Sequence, residues 1–276
     1  MPELPEVESV RLDLLPVMEG ARIESVVTNR ADLRTAFPPD FADRLEGQTV
    51  RALTRRGKYL LAELSSSEIL VMHLGMSGSF RVENNGRATA DPYYYARDAS
   101  ARHDHVVFRM SSGATVVFND PRRFGFMDIV SREALGERRG VGQLGPEPLS
   151  DEFDAEALAR ACRGKKTSLK AALSDQRVVA GLGNIYVSEA LHRAKLSPRR
   201  RASTIATTAG APREAAARLA AAIKKVLQIA IAGRDGDRFR VYDREGARCP
   251  TRGCRGIIRR ITQAGRSTFY CPVCQR

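Results

Sequence analysis

The sequence is poor in acidic residues, contains no long apolar run, and keeps all but one of its cysteines in one short segment. Its 276 residues include 32 Asp and Glu against 45 Lys and Arg. No stretch approaches the roughly 18 apolar residues of a membrane-spanning helix, and the N-terminus lacks the basic segment and apolar run of a signal peptide. These absences argue against a membrane or secreted protein, so we expect the chain in the cytoplasm.

The excess of basic residues gives the chain a formal net charge of +13. A charge of this size indicates a polyanionic partner such as a nucleic acid, although a ribosome-like or merely basic protein would have the same balance. The length suggests about two domains, and it is sufficient for each to bury an apolar core.

Four of the five cysteines lie in the last 28 residues. Their spacing is Cys249-x4-Cys254-x16-Cys271-x2-Cys274, two close pairs separated by an insert of hairpin length. In a reducing compartment such pairs indicate metal ligands rather than disulfides. Four thiolates form a closed tetrahedral site, so we expect one structural Zn²⁺. The many arginines of this tail favour nucleic-acid contact over a zinc ribbon that contacts proteins. The fifth cysteine, Cys162, is interpreted as structural.

The first eight residues, Met1-Pro2-Glu3-Leu4-Pro5-Glu6-Val7-Glu8, combine an amine with a neighbouring acid. If Met1 is removed, Pro2 exposes a secondary amine, which is less basic than a lysine and can attack an electrophilic carbon near neutral pH. Glu3 lies next to it and can move protons. The alternative interpretation is an ordinary helix start with acids favoured by the helix dipole.

The periodicity predicts an α+β protein. A helix over Glu6–Met18, ended by Gly20, precedes short β-like runs, which together suggest a β-sandwich with the helix packed on it. We expect the tract 87–102, which has no clear period, to be a long loop. The predicted strands are Ile23–Val27, Thr49–Leu53, Tyr59–Leu64, Ile69–Leu74, His105–Met110 and Thr115–Phe118.

Residues 144–150 contain Gly and Pro and are typical of a linker, and the periodicity beyond them turns helical. We predict a β-sandwich domain at 1–135, a helical domain at 136–238 and a four-cysteine β-hairpin at 239–276. The predicted helices are Glu152–Arg163, Ser168–Leu173, Ile185–Ala194 and Pro212–Ala232, the last closed by Gly233.

Three turns carry cations or exposed apolar side chains: Arg55-Arg56-Gly57-Lys58, His73-Leu74-Gly75-Met76 and Asp120-Pro121-Arg122-Arg123-Phe124. A basic cluster entering a strand suits a phosphate contact, and a Met at a glycine-flanked tip is a flexible apolar wedge. The alternatives are a solvated strand end and a core methionine. A further glycine-bearing turn, Gly181-Leu182-Gly183-Asn184, opens a helix and could bind phosphate or simply be tight.

These motifs, with Gly183-Asn184-Ile185-Tyr186 and the cysteine tail, resemble bacterial formamidopyrimidine-DNA glycosylase nearly end to end. The resemblance implies a bifunctional glycosylase and AP lyase of base excision repair that removes oxidised purines from double-stranded DNA, with the N-terminal proline forming a Schiff base before β,δ-elimination. It also implies a helix–two-turns–helix element, a zinc-bound hairpin, a monomer and association with the bacterial nucleoid.

The resemblance also implies roles for individual residues. Pro2, Glu3 and Lys58 would be catalytic, while Glu6 and Glu189 would relay protons or position the catalytic end. Met76, Arg122 and Phe124 would fill the gap left by the extruded base. DNA contacts would come from His103, which could equally be an ordinary surface residue, and from Arg122, Lys170, Asn184 and Arg266. The metal ligands would be Cys249, Cys254, Cys271 and Cys274.

The chain departs from the family at two points. The first cysteine pair has a spacing of four residues where the family commonly has two. After the last long helix, Gly233-Arg234-Asp235-Gly236-Asp237-Arg238 replaces a longer loop that in the family folds over the flipped purine, so about fifteen to twenty residues are expected to be missing. Two alternatives therefore stay open: an endonuclease VIII-like enzyme for oxidised pyrimidines, and a non-catalytic, zinc-dependent binder of damaged DNA.

Overall fold

A computed structural model describes residues 2–84, 87–90, 100–138, 140–233 and 239–276. The chain divides into two compact units, Met1–Gly142 and Gln143–Arg276. The predicted linker at 144–150 follows directly after this division, and the finer division into three parts stays a prediction. None of the helices in the described part of the chain is long and apolar enough to cross a membrane.

The first unit begins with helix α1, Leu4–Met18. Its start is fixed by a capping box in which Glu3 and Glu6 exchange side-chain to backbone hydrogen bonds, so it begins two residues earlier than predicted. Gly20 lies just past the end with a φ of +78°, a conformation that suits glycine. The buried face of α1 contains Leu4, Val7, Val10, Leu14 and Met18.

Two antiparallel sheets form the predicted sandwich. The five-stranded sheet has the order β1-β7-β8-β5-β6 and the four-stranded sheet the order β2-β3-β4-β9. A short helix, α2 (Phe41–Leu45), packs near β1. The strands are β1 Ile23–Thr28, β2 Val50–Arg56, β3 Tyr59–Leu64, β4 Glu68–His73, β5 Ser79–Asn84, β6 Arg87–Ala90, β7 Asp104–Met110, β8 Thr115–Asn119 and β9 Phe126–Ser131.

All six predicted strands are confirmed, and β5, β6, β9 and α2 were missed. The expected loop over 87–102 is wrong at its start, because Arg87 pairs with Asn84 and β6 extends the sheet. It is also wrong at its end, where residues 101–103 form one turn of 3₁₀ helix; residues 91–99 lie outside the described part. Polar side chains within β5 and β6 hid their strand character, since pairing there depends on tertiary context rather than on apolar alternation.

The core of the first unit lies between α1 and the sheets. A smaller cluster of Leu61, Ile69, Val71 and Val141 covers the other face of β3 and β4. Both faces of these two strands are therefore buried, which is why they read as nearly continuous apolar runs.

In the second unit, residues 143–233 and 239–276 form four α-helices, one short 3₁₀ helix (Ala202–Ile205) and one hairpin. Side-chain oxygens of Asp154 and Ser168 cap two of the helices by accepting backbone N–H groups three residues on. The predicted helices are all present, with bounds that differ by at most three residues. The elements are α3 Ala155–Cys162, α4 Leu169–Ser174, α5 Asn184–Arg193, α6 Glu214–Ile231, β10 Arg259–Gln263 and β11 Arg266–Tyr270.

Candidate active site and nucleic-acid interface

Three turns of the first unit meet at one end of the strands of the four-stranded sheet. Tyr59 at the start of β3 pairs with His73 at the end of β4, and His73 pairs with Phe126 at the start of β9. The three rings lie side by side, with centroids 4.9 Å apart for Tyr59 and His73 and 5.4 Å apart for His73 and Phe126. The register therefore brings the turns at 57–58, 74–78 and 120–125 to the same end of the sheet.

The predicted catalytic pair is buried at the start of α1. Pro2 is buried, and Glu3 is only 2% exposed. The backbone N–H of Glu3 donates to Glu6 Oε2 at 2.8 Å, and the Glu3 carboxylate accepts the backbone N–H of Glu6. These reciprocal bonds fix the Glu3 carboxylate at the start of α1, one residue after Pro2, and they give Glu6 a positioning part.

An ion-pair network connects α1 to the turn that carries Lys58. The Arg55 guanidinium donates to Glu8 Oε2 at 2.9 Å and to the Gly57 carbonyl at 2.8 Å. Partial burial would raise the pKa of Glu8, but hydrogen bonds from Arg11 and Arg55 outweigh it and lower the pKa. Lys58 itself is 7% exposed. The network links α1, which follows Pro2 and Glu3, to the residue just before this buried cation.

The turn that carries Met76 is fixed by His73 and by a glycine. The backbone N–H of Gly75 donates to His73 Nδ1 at 3.0 Å, which places the ring proton on Nε2. Gly75 has a φ of +63°, and a Cβ there would lie 2.2 Å from the Phe124 carbonyl carbon. Glycine is therefore required at this position, because the Met76 turn packs directly on the backbone of the Phe124 turn.

A fully buried carboxylate, Asp120, joins these two turns. Its Oδ1 accepts the Ser77 hydroxyl at 2.6 Å and the Arg122 N–H at 3.3 Å, while its Oδ2 accepts the Gly125 N–H at 2.8 Å. His105 Nε2 donates to the Asp120 carbonyl at 2.9 Å. The turns at 74–78 and 120–125 are thus held by one buried acid, to which the sequence analysis gave no role.

The tips of the two joined turns are exposed and partly apolar. Met76 is 37% and Phe124 41% exposed, both unusual for such residues. The Arg122 guanidinium lies 4.7 Å from the Phe124 ring centroid, a cation–π geometry. The three predicted stack-filling side chains are therefore brought together. His103 lies just before β7, and its carbonyl accepts the Asp120 N–H, so it is a neighbour of this turn.

His73 should make the stability of the protein fall in mild acid. Burial, followed by the charges of Lys58, Arg34 and Arg138, lowers the pKa of His73 from 6.5 to about 4. Between these values the unfolded chain binds a proton that the folded one does not, so stability is lost as the pH falls from about 6.5 to about 4. The loss amounts to at most about 3 kcal/mol, at about 1.4 kcal/mol per pKa unit. Chemical denaturation of His73→Gln beside the wild type at pH 7.0 and 4.5 checks this. We expect a smaller pH-dependent loss in the variant, and equal losses would contradict the assignment.

In the second unit, two predicted DNA-binding residues hold the hairpin. Lys170 is 3% exposed, and its ammonium donates to Thr268 Oγ1 at 2.5 Å and to the Ser267 carbonyl at 3.4 Å. Asn184, the first residue of α5, donates from Nδ2 to the same carbonyl at 2.8 Å. Both contacts lie next to Arg266, which is exposed at the start of β11. The hairpin that carries Arg266 is thereby attached to α4 and α5.

Arg266 and Lys170 should affect DNA binding differently, because Arg266 is exposed whereas the Lys170 ammonium is bonded to the hairpin. We expect Arg266→Met to lower the slope of log binding constant against log salt by about 0.9, since one phosphate contact is lost. Lys170→Met should weaken DNA binding by about three- to tenfold but change that slope much less, because its ammonium is committed to the hairpin. Titrations of a lesion duplex at four salt concentrations measure both. Equal slope changes in the two variants would show that Lys170 contacts phosphate.

Glu189 on α5 holds the segment that follows α6. Its carboxylate accepts three backbone N–H groups, from Arg240, Val241 and Tyr242, each at 2.9 Å. The position suits the positioning part expected of Glu189 rather than proton relay. The predicted shortened loop at 234–238, which leads into this segment, lies outside the described residues.

The four tail cysteines converge as predicted. Their sulfurs all lie within 4.8 Å of one another. The Sγ distances are 3.7 Å for Cys249 and Cys274 and 3.6 Å for Cys254 and Cys271. Tetrahedral zinc with Zn–S bonds of about 2.3 Å needs sulfurs about 3.8 Å apart. The donor set and its spacing therefore fit one structural Zn²⁺. Cys162 lies elsewhere, buried, and its burial raises the pKa of the thiol to about 11, which suits a structural residue.

Three family models match the chain in sequence order. The formamidopyrimidine-DNA glycosylase N-terminal domain matches residues 1–127. The formamidopyrimidine-DNA glycosylase H2TH domain, the helix–two-turns–helix element, matches 144–241. A zinc finger found in FPG and IleRS matches 246–276. The matches cover nearly the whole chain.

Full-length relatives and solved structures agree with these matches. Formamidopyrimidine-DNA glycosylases of Rhodopseudomonas palustris (strain BisA53) and Bradyrhizobium sp. (strain BTAi1) are each 59% identical, with both chains covered in full. The Lactococcus lactis enzyme, bound non-covalently to DNA containing an AP site, superposes with a TM-score of 0.83 at 30% identity over 99% of each chain. A structure of MutM with DNA containing carbocyclic 8-oxo-G gives the same TM-score and identity over the full length of both chains.

The alignments with the bacterial relatives are longer than this chain. They run over 292 to 294 positions and cover each chain in full. The chain has 276 residues, so at least 16 to 18 aligned positions face gaps in it. This agrees in size with the fifteen to twenty residues expected to be missing, while their place after Gly233 stays a prediction.

Proposed function

The chain belongs to the formamidopyrimidine-DNA glycosylase family, and on that premise we propose that it removes oxidised purines from DNA through the amine of Pro2. It is a DNA glycosylase of base excision repair with AP lyase activity, and its DNA is double-stranded and carries oxidised bases or abasic sites. A structural Zn²⁺ held by the four tail cysteines supports the hairpin and supplies no chemistry at the reacting carbon. We further propose that it works as a monomer at the bacterial nucleoid.

The observation that carries the mechanism is the buried capping box at the start of α1. It fixes the Glu3 carboxyl one residue after Pro2, in a site only 2% exposed at Glu3. Glu3 protonates the sugar ring oxygen as the Pro2 amine attacks C1′ of the damaged nucleotide, so the C1′–O4′ bond breaks and the ring opens. The base then leaves with the electron pair of its bond to C1′ and takes up the proton that the amine loses, which leaves an iminium ion between Pro2 and C1′.

The iminium ion drives strand cleavage. As an electron sink it acidifies the C2′–H bond, and loss of that proton expels the 3′ phosphate by β-elimination. A second proton loss expels the 5′ phosphate by δ-elimination. Hydrolysis of the iminium then returns the amine. Buried Lys58 supplies a positive charge in the same unit, suited to the phosphate of the damaged nucleotide.

The joined turns suit the DNA distortion that base extrusion needs. An extruded base leaves a gap in the stack, which apolar and planar side chains can fill. We assign this part to Met76, Arg122 and Phe124, which is supported by the exposure of Met76 and Phe124 and by the contact of Arg122 with the Phe124 ring. His103, Asn184 and Arg266 would bind the phosphates of the bent duplex, with Lys170 and Glu189 holding the elements that carry them.

Borohydride trapping on a set of duplexes tests this function. The duplexes carry 8-oxoguanine, a ring-opened formamidopyrimidine, 5-hydroxyuracil or an abasic site. We expect covalent adducts on the two purine lesions and on the abasic site. No adduct on any duplex, from protein shown by mass to lack Met1 and to hold one zinc, would refute the Pro2 mechanism.

The missing aligned positions give a reason to include the pyrimidine lesion. If they belong to the loop over the flipped purine, recognition of 8-oxoguanine loses its backbone contacts, and the lesion spectrum would move towards oxidised pyrimidines as in the endonuclease VIII branch. An adduct on 5-hydroxyuracil stronger than on 8-oxoguanine would favour this second assignment. The chemistry at Pro2 would be the same in either case.

A further inference from the structure

The last turn of α5 contacts the cysteine cluster through a buried histidine. His192 is 1% exposed. Its Nε2 lies 3.4 Å from Cys249 Sγ and 3.3 Å from Thr251 Oγ1. Thr251 lies in the four-residue insert between Cys249 and Cys254, the point at which this tail departs from the commoner two-residue spacing. The contact therefore joins a helix to the unusual knuckle of the metal site.

The chemistry of the cluster decides how this contact is oriented. A zinc-bound cysteine is a thiolate and can only accept a hydrogen bond. A neutral imidazole carries one N–H, and among the described residues no group hydrogen-bonds His192 Nδ1, which is buried. Placing the proton on Nε2 gives it an acceptor, and the 3.4 Å distance suits an N–H···S bond. The Thr251 hydroxyl can then donate to Cys274 Sγ, 3.9 Å away.

We propose that His192 is a positioning residue of the zinc site, which donates its Nε2–H to the Cys249 thiolate and ties the metal knuckle to the C-terminal turn of α5. An N–H···S bond disperses thiolate charge and fixes the ligand in its bound orientation, so zinc is held more tightly. Groups of this kind in other metal sites change metal affinity by about 10- to 100-fold when they are removed.

The proposal gives α5 three attachments along its length. Asn184 at its start bonds the Ser267 carbonyl of the hairpin, Glu189 in its middle holds residues 240–242, and His192 at its end bonds the metal knuckle. Zinc binding would therefore order the helix whose first residue is assigned to a phosphate. That consequence for DNA rests on the proposed function, whereas the zinc affinity itself does not.

Zinc affinity of the full-length holoprotein tests the proposal without using activity. His192→Phe keeps a ring but removes the donor, and His192→Gln restores an N–H donor. Ser188→Ala is the matched control, since Ser188 is equally buried on α5 and its hydroxyl donates to the Asn184 carbonyl of the same helix. Competition with a chromophoric chelator gives the dissociation constants, and the absorption spectrum after Co²⁺ substitution shows whether four thiolates still bind.

We expect His192→Phe to raise the zinc dissociation constant by about 10- to 100-fold with the four-thiolate Co²⁺ spectrum retained and its charge-transfer band shifted. His192→Gln should recover part of the affinity, and Ser188→Ala should stay within about twofold of the wild type. An unchanged zinc dissociation constant in His192→Phe would overturn the proposal. An equal loss in Ser188→Ala would also overturn it, because general packing of α5 would then be the cause. If His192→Phe fails to fold, His192→Gln decides: an affinity within twofold of the wild type supports donation, and a loss matching that of a Cys249→Ser variant refutes it.

Discussion

Glu3→Gln is expected to slow removal of 8-oxoguanine by about 10²- to 10⁴-fold, the range that a positioned general acid contributes. The same variant should still form a borohydride-trapped adduct on abasic DNA at a rate within about tenfold of the wild type. The difference arises because an abasic sugar opens spontaneously to an aldehyde, whereas an intact nucleotide needs its ring oxygen protonated before the ring can open.

The structure allows this variant to be read as a chemical change rather than a folding defect. Gln retains a carbonyl oxygen that can accept the Glu6 N–H, so the capping box at the start of α1 survives. Asp13→Asn is the matched control, since it removes a carboxylate from the same helix at a distance from Pro2. We expect wild-type excision from Asp13→Asn and equal thermal stability for Glu3→Gln and the wild type.

A second change distinguishes the role of the Pro2 amine from that of the Glu3 carboxyl. One residue inserted between Met1 and Pro2 would turn the proline nitrogen into a tertiary amide, which has no nucleophilic lone pair. Trapping should then vanish on every duplex, the abasic one included, while DNA binding persists. Single-turnover excision and trapping gels measure both effects. Loss of abasic trapping in Glu3→Gln, or its persistence after the insertion, would contradict the assigned roles.

The sequence predicted those parts of the molecule that depend on local pattern. The apolar spacing of α1 and α6, the apolar runs of β7 and β8 and the cysteine pairs all carry their own signal, because burial and metal geometry require those residues at that spacing. β5 and β6 carried no such signal. Their pairing is decided by neighbours in the sheet, so a single sequence did not reveal them.

The residues that organise the site were harder to find than those proposed to act in it. Asp120 and His192 are buried and His73 is half-buried, and their importance depends on which segments they join, which sequence spacing does not report. For Lys170 the resemblance implies a phosphate contact, and the fold adds a hydrogen bond from its ammonium to Thr268 of the hairpin. Its contact with DNA stays a prediction. For Asp120, one available signal was the Asp-Pro turn itself, since Asp often bonds backbone N–H groups two residues on.

Removal of the buried Asp120 carboxylate is expected to damage catalysis through the two turns that it joins. Asp120→Ala removes a fully buried acceptor of the Gly125 N–H, the Ser77 hydroxyl and the Arg122 N–H, of which the Arg122 N–H keeps a second acceptor, Ser77 Oγ at 3.2 Å. Hydrogen bonds to a charged group contribute about 1.5–3 kcal/mol each. Because the three are not additive, we expect the free energy of unfolding to fall by about 2–4 kcal/mol.

The milder variant Asp120→Asn keeps the shape but offers one acceptor oxygen where two were used. One turn should therefore detach from the other, which moves Met76 relative to Phe124. Misplacement by about 1 Å can cost about 10²-fold in rate. We expect the rate of lesion excision to fall by about 30- to 100-fold. The fluorescence change of a 2-aminopurine placed opposite the lesion should fall by a similar factor, because that probe reports filling of the stack.

A matched variant distinguishes a positioning defect from lowered stability. Asp104→Asn also removes a carboxylate with side-chain partners, since Asp104 accepts from the half-buried Arg81 on β5 and from the buried Asn119 on β8. It should lower the melting temperature by a comparable amount yet leave excision and the fluorescence change near wild type, because Asp104 bonds neither turn tip. If Asp120→Asn and Asp104→Asn lost activity equally at equal stability, the two turns would not depend on Asp120 for their arrangement. A selective loss in Asp120→Asn would show that one buried acid sets the geometry in which Met76, Arg122 and Phe124 meet the DNA.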